Sequence, residues 1–190
     1  MRTLISTAFI SLDGVVEDPG GQSDYRNGGW TFKSVDFVPE AYAIKGSEQQ
    51  ESTAMLLGRK SYELFSPVWP NMEDFAHYKD LPKFVVSTTL RDDALVSDWG
   101  PTTILRSLEE VRALKESEGG PIIIHGSVTL NHALADAGLI DRYNLLVFPL
   151  LLGAGQKLFS DTDKDTQKLQ LVDSEVFSNG IQKNILDVIH

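Results

Sequence analysis

Pro121-Ile122-Ile123-Ile124-His125-Gly126-Ser127-Val128-Thr129-Leu130 is the stretch whose grammar the rest of the chain repeats. Consecutive isoleucines leave no polar alternation, so the segment reads as a strand buried on both faces, as in a parallel sheet. It stops at a glycine, and a helix begins: Leu130, Leu134 and Ala137 recur at helical spacing until Gly138 ends the run. Ala54-Met55-Leu56-Leu57-Gly58-Arg59-Lys60-Ser61-Tyr62-Glu63 follows the same order of apolar strand, glycine and helix start. Phe84-Val85-Val86-Ser87-Thr88-Thr89 is a third apolar strand, ending in hydroxyls. Strands separated by single helices imply parallel pairing through right-handed crossovers.

Outward from these, short β-branched segments predict strands over Leu4–Ser11, Ala54–Gly58, Lys83–Thr88, Thr102–Leu105, Pro121–His125, Tyr143–Leu151, Lys168–Phe177 and Ile181–Ile189. Ser107-Leu108-Glu109-Glu110 has the form of a capping box and opens a helix that Gly119-Gly120 stops. A further helix is expected over Phe37–Ser52, with Pro39 in its first turn. Ser178-Asn179-Gly180 is a hairpin signal between the last two strands. The expected fold is α/β: a mixed, mostly parallel sheet with an antiparallel C-terminal hairpin and helices on both faces. No linker or repeat interrupts it, so residues 1–190 read as a single domain.

Lys and Arg number 17 against 27 Asp and Glu, a net charge of −10. That argues against nucleic acid or an anionic membrane as partner. Apolar residues at 42% and charged ones at 23% are ordinary for a folded globular chain. No run has membrane-spanning length, and Ser6, Ser11 and Asp13 interrupt the apolar start, so neither a span nor a signal peptide is expected and the cytoplasm is the default location. There is no cysteine, and the four histidines offer no metal-binding spacing, so no metal site is expected. Gly153-Ala154-Gly155 lacks the third glycine of a dinucleotide fingerprint, and Asp161-Thr162-Asp163-Lys164-Asp165 lacks the glycine and final Glu of a calcium loop. Ser127 does not complete a nucleophile elbow.

The chemistry is expected at the strand ends. In an open α/β sheet, ligands bind beyond the carboxyl ends of the strands. At Gly58-Arg59-Lys60-Ser61 a helix start meets two cations, which suits a phosphate. Ser87 and Thr88, and Gly126-Ser127, place hydroxyls and a close-approach glycine at two further strand ends. Together they point to a phosphate-rich ligand.

In this order, Ser11-Leu12-Asp13-Gly14, Leu57-Gly58-Arg59-Lys60-Ser61-Tyr62-Glu63, Val86-Ser87-Thr88, Ile124-His125-Gly126-Ser127-Val128-Thr129-Leu130, Gly138-Leu139-Ile140-Asp141 and Phe148-Pro149-Leu150-Leu151-Leu152-Gly153-Ala154-Gly155-Gln156-Lys157-Leu158-Phe159 resemble the dihydrofolate reductase-like superfamily. The closest likeness is to stand-alone relatives of the reductase domain of riboflavin biosynthesis (the RibD C-terminal type). The resemblance implies a three-layer fold and NADPH as cofactor. It implies that Gly58, Arg59, Lys60 and Ser61 hold the phosphates, with Arg59 near the 2′-phosphate, so that NADPH is preferred to NADH. It places Ser87 and Thr88 at the adenosine end, and His125, Gly126, Ser127, Val128 and Thr129 at the nicotinamide ribose and pyrophosphate. Asp13, Gly14 and Val15 would form the loop over the nicotinamide.

Two departures stand out. Ser127 replaces the second glycine of the family turn. The carboxylate that grips a pterin has no clean match: Glu40 and Asp36 remain candidates for it, Asp13 and Glu40 are the candidate catalytic residues, and dihydrofolate is expected to be a poor substrate. The leading expectation is a reductase that passes hydride from NADPH to a small pterin-like or riboflavin-precursor-like heterocycle. Alternatives are a nucleotide-binding sensor or resistance module without turnover, and a flavin- or deazaflavin-dependent reductase. The apolar C-terminal strands make a homodimer the expected assembly.

Overall fold

The computed structural model describes residues 1–162 and 165–190. Asp163 and Lys164, inside the acidic stretch that imitates a calcium loop, lie outside the described residues. The elements in chain order are β1 (Leu4–Ser11), α1 (Trp30–Lys33), α2 (Pro39–Glu51), β2 (Ala54–Gly58), α3 (Arg59–Phe65), β3 (Lys83–Val86), β4 (Thr102–Leu105), α4 (Leu108–Glu116), β5 (Ile122–His125), α5 (Val128–Asp136), β6 (Arg142–Phe148), β7 (Leu169–Val176) and β8 (Gln182–Val188). Short 3-10 turns at Trp69–Asn71, Glu73–Tyr78 and Asp92–Ala94 fill the remaining connections.

One eight-stranded sheet runs in the order β4-β3-β2-β5-β1-β6-β8-β7. All pairs from β4 to β6 are parallel, and β8 pairs antiparallel with both β6 and β7. The central strands β2 and β5 are buried on both faces, as their unbroken apolar runs require. On one face, Val111 of α4 and Leu130 and Leu134 of α5 pack onto Leu4, Leu56, Ile122 and Ile124. On the other, the helices α1 to α3 and the aromatic 3-10 turns cover Met55, Leu57, Ile123, Leu146 and Phe148. The result is the expected three-layer dihydrofolate reductase-like arrangement with its antiparallel C-terminal hairpin.

Local signals behave as their chemistry dictates. Pro39 sits at the first position of α2, where its missing N–H costs nothing. Ser107 Oγ accepts from Glu110 N at 3.3 Å, and the Glu110 carboxylate reaches back to Arg106 N at 2.8 Å. In the hairpin, Gly180 adopts φ +84° and donates to Phe177 O. Five strands are shorter than expected, among them β5, which begins after Pro121, and β8, which loses a residue at each end. β3 ends before Ser87 and Thr88, β6 ends before Pro149, which has no N–H for a ladder, and β7 begins at Leu169. Among the described residues, no helix is long and apolar enough to cross a membrane.

Candidate active site

Because β4, β3, β2, β5, β1 and β6 run in the same direction, their carboxyl ends line one edge of the sheet. At the centre of that edge, the turn after β5 is over-determined. Gly126 has φ +66° and Ser127 φ +56°, a left-handed conformation that costs a residue with a Cβ about 1–2 kcal/mol. Asn131 Nδ2 donates to both Gly126 O and Ser127 O at 3.1 Å, and Ser6 Oγ donates to Asn131 Oδ1 at 2.6 Å. Ser127 also caps α5, its Oγ accepting from Leu130 N at 3.3 Å. Val128 and Thr129 open that helix, where N–H groups have no partner within the helix.

The two glycines of the edge serve packing between neighbouring strand ends. A Cβ on Gly58 would stand 2.2 Å from Ser127 Oγ, and one on Gly126 would stand 2.7 Å from Ser61 Oγ. So Gly126 opens its Cβ side to α3 rather than to ligand space. Ser61 is buried against it. Arg59 and Lys60 are exposed at the start of α3, and Arg59 Nη1 pairs with Glu63 Oε1 one turn on at 3.1 Å. An exposed pair of this kind contributes at most about 1 kcal/mol, so a stronger anion can displace it.

After β3, Ser87 Oγ accepts from Leu90 N at 2.9 Å, while Thr88 is exposed. Arg106, just past β4, fixes this loop by donating to Ser87 O and Leu90 O at 2.9 and 2.7 Å. Thr88, Thr89, Arg91, Asp93 and Arg106 line an open cleft of about 510 Å³ there.

The loop after β1 closes the edge from the other side. Asp13 accepts from Ser11 Oγ at 2.6 Å, Leu152 N at 3.1 Å and Gly153 N at 2.7 Å. The Ser11 hydroxyl, more than the backbone donors, holds this carboxyl below its ordinary range, so Asp13 is an ionised clasp between two loops rather than a proton donor. Gly14 and Val15 have their backbone groups engaged: Val15 N meets Ser11 Oγ, Ser11 N meets Val15 O, and Gly14 O accepts from Leu158 N. Tyr25 Oη donates to Ala154 O at 2.5 Å and strengthens the clasp. Glu40 stands exposed in the first turn of α2, and Asp36 is exposed before it.

The buried acid of α2 is Glu48, 4% exposed. Sequence reasoning did not single it out. Its Oε1 accepts from Thr7 Oγ1 at 2.7 Å and Asn144 Nδ2 at 2.9 Å, and Lys45 Nζ lies 3.2 Å from Oε2 and also bonds Thr7 Oγ1. The carboxylate fixes which end of the Asn144 amide faces it, and Asn144 Oδ1 is left buried with no partner among the described residues. Thr7 pairs in register with both His125 and Asn144, so all three side chains share a face of the sheet. His125 Nε2 lies 2.9 Å from Tyr78 Oη; burial drives the imidazole down to about 4, so it is neutral near pH 7. Thr7, Lys45, Glu48, Asn144, His125 and Tyr78 thus make a polar seam between two aromatic clusters. The one signal in the sequence is the spacing of Ala41 and Glu48, two helical turns apart and hence on one face.

The chain is similar over most of its length to known proteins. YyaP, an uncharacterised protein of Bacillus subtilis (strain 168), is 28% identical over 187 residues, which cover 95% of this chain and 92% of YyaP. A provisionally assigned riboflavin biosynthesis protein from Shewanella sp. PV-4 superposes with a TM-score of 0.74 at 20% identity, over 99% of both chains. Dihydrofolate reductase from Enterococcus faecalis, solved with NADP(H), gives 0.61 at 14% identity, over 99% of this chain and 97% of that one. At such identities the two structures speak for the fold alone. The family model described as the RibD C-terminal domain matches residues 2–183, and the chain belongs to that family.

Proposed function

We propose that this protein is an NADPH-dependent reductase that delivers hydride to a small flat heterocycle, pterin-like or resembling a pyrimidine precursor of riboflavin. The observation that carries the reading is the placement of a buried polar seam directly below a row of parallel strand ends bearing cations, hydroxyls and a helix start. Family membership and the folds of the neighbouring structures agree with a reductase role.

The residues present fit the cofactor. Arg59 and Lys60 at α3, after β2, and Arg106, after β4 and beside the Thr88–Thr89 cleft, are cations on the strand ends that flank β3, suited to phosphates. The first N–H groups of α5 would receive the pyrophosphate. NADPH, when bound, supplies the hydride. The chain's own contribution is orientation and exclusion of water. Asp13 and Tyr25 hold the two loops together along the edge. Glu48, Asn144 and Thr7 present acceptors to the N–H edge of a heterocycle, and Asn144 Oδ1 has a hydrogen bond still to make. Lys45 Nζ lies against Glu48 Oε2 and Thr7 Oγ1 in the seam, and His125 is held neutral at pH 7 by burial. The exposed positions of Glu40 and Asp36 suit them poorly to the role of acceptor, and Glu48 takes their place in this proposal.

The test is a thermal-shift panel of NADPH, NADH, FMN and FAD, followed by NADPH oxidation with pyrimidines, pterins and quinones. NADPH at a hundred times its dissociation constant should add about 2.7 kcal/mol of stability, and Arg59→Ala should weaken NADPH more than NADH. Binding without oxidation of any of these substrates would favour a nucleotide-binding module, and a shift with flavin alone would favour a flavin-dependent reductase.

A further inference from the structure

We propose that Trp69 is the stacking platform for the substrate's flat ring, and that Phe75 occupies that ring's place until substrate displaces it. The inference rests on the reductase reading, whose substrate must reach a seam that this structure keeps covered. Thr7, Glu48 and Asn144, the acceptors offered to the heterocycle, are 6%, 4% and 6% exposed. A heterocycle can meet them only if something above them moves.

What moves is decided by how each cover is held. Helix α2 is fastened to the sheet by Glu48, whose carboxylate accepts from Thr7 and Asn144. Lifting it would leave that buried charge without partners, at a large cost. The 3-10 turn Glu73–Tyr78 is held differently. Its end is pinned: Lys83 Nζ donates to Tyr78 O and Lys79 O at 2.5 and 2.6 Å, and Tyr78 Oη meets His125 Nε2 at 2.9 Å. In its middle, Gln49 Nε2 donates to Asp74 O at 2.8 Å from an exposed position, where water competes. Glu73, Asp74, Ala76 and His77 are all exposed. Six residues is also long for a 3-10 run, which seldom exceeds four. Local opening therefore costs least between Glu73 and His77.

Phe75 is the large apolar side chain of that segment, and it is partly buried. The Trp69 indole lies between Phe65 and Phe75, with centroids 4.1 and 4.2 Å away and planes inclined by 13° and 8°. Phe65 is packed beside Gly126 at the end of β5, so it forms the fixed side of the stack. Phe75 forms the movable side. Its ring lies 6.4 Å from that of Tyr78, one end of the seam, and His125 stands edge-on to Trp69 at 5.3 Å. A ring in the place of Phe75 therefore borders the seam. A pyrimidine or pterin, flat and electron-poor, can stack on the indole face that Phe75 covers while its polar edge meets the acceptors. A ring puckered by saturation cannot lie flat there.

Tryptophan fluorescence of the full chain tests this, with pterin and uracil as flat probes and 5,6-dihydrouracil as a puckered ring with the polar edge of uracil. A flat probe should quench the emission of the wild type. Phe75→Ala has no ring to displace and should bind that probe about tenfold more tightly. Phe75→Leu, which keeps most of the apolar volume, repeats the comparison with less loss of packing. Dihydrouracil should bind about tenfold more weakly than uracil. Trp69→Phe keeps a stacking face, so it should retain binding in equilibrium dialysis but lose the quench, which singles out Trp69 among the three tryptophans. The proposal is overturned if neither flat probe binds, if both Phe75 variants bind as the wild type does, if dihydrouracil binds as well as uracil, or if the quench survives Trp69→Phe. NADPH oxidation is followed separately: a protein that stacks a flat probe on Trp69 and never oxidises NADPH keeps this site and loses the reductase reading.

Discussion

At Ser127 a single side chain does three things at once. Its backbone adopts a left-handed conformation, its Oγ caps α5, and its Cβ occupies the space that Gly58 leaves open. The last of these makes a clean double-mutant cycle. Gly58→Ala alone drives a methyl into Ser127 from a backbone conformation (φ −82°) that alanine accepts, so its cost is overpacking, about 1–3 kcal/mol. Ser127→Gly alone relieves the left-handed strain, loses the cap at a cost of a few tenths, and opens a small void; the sum should lie within about 1 kcal/mol of wild type. The two together move the methyl from one side of the contact to the other and should recover most of the stability lost in Gly58→Ala. Urea denaturation of the four proteins measures the coupling. Strict additivity would mean that Gly58 and Ser127 do not share this space.

Helix α2 shows where a sequence can be read and where it cannot. Its limits were legible, because Pro39 fits only a first turn and the apolar strand from Ala54 leaves no room beyond. The strands were legible for the same kind of reason: buried parallel strands have no polar alternation, and a glycine or proline ends them. The inward acid was not. Glu40, Glu48 and Glu51 are chemically alike, and which one is buried depends on the angle at which α2 lies on β1 and β6. The partners of the Asp13 side chain were not legible either, since only the fold brings the loop after β6 against it, where Leu152 N and Gly153 N donate to its carboxylate. Glu48→Gln separates the seam from the cofactor edge. It keeps the shape but leaves Lys45 without its counter-charge, so it should lower stability by about 1–3 kcal/mol, discounted for the partial exposure of Lys45. In the proposed reductase it should cut kcat/KM by about 100-fold or more while leaving NADPH affinity unchanged. Unchanged turnover in steady-state assays would remove Glu48 from the substrate wall.

The molecule as a whole carries its titration signature at opposite ends of the sheet. His125, at the carboxyl edge, is pushed down to about 4 by burial, against the opposing pull of Glu48. In the unfolded chain it binds a proton near 6.5, so between 6.5 and about 4 the unfolded state holds more protons and stability falls as pH falls. Lys83, wholly buried at the start of β3, donates to Tyr78 O at 2.5 Å and Lys79 O at 2.6 Å, and burial lowers it to about 8. Its charge is a burden that the folded state sheds first on going up, so stability should rise with pH from about 8 to 10.5. Each contribution is of order 3 kcal/mol at most. A third arises below pH 4, where Asp13, held below its ordinary range, must be protonated and its clasp opened. Wild type should therefore show two separate rises in unfolding free energy, on the two flanks of neutrality. His125→Asn should flatten only the acid flank and Lys83→Met only the alkaline one, because the two groups act at opposite ends of the strands and meet Tyr78 through different atoms, its hydroxyl and its carbonyl. Urea midpoints taken across the range test both at once. A profile in which either variant flattens both flanks would mean that the two ends of the sheet titrate as one coupled unit through Tyr78, whose hydroxyl meets His125 and whose carbonyl meets Lys83.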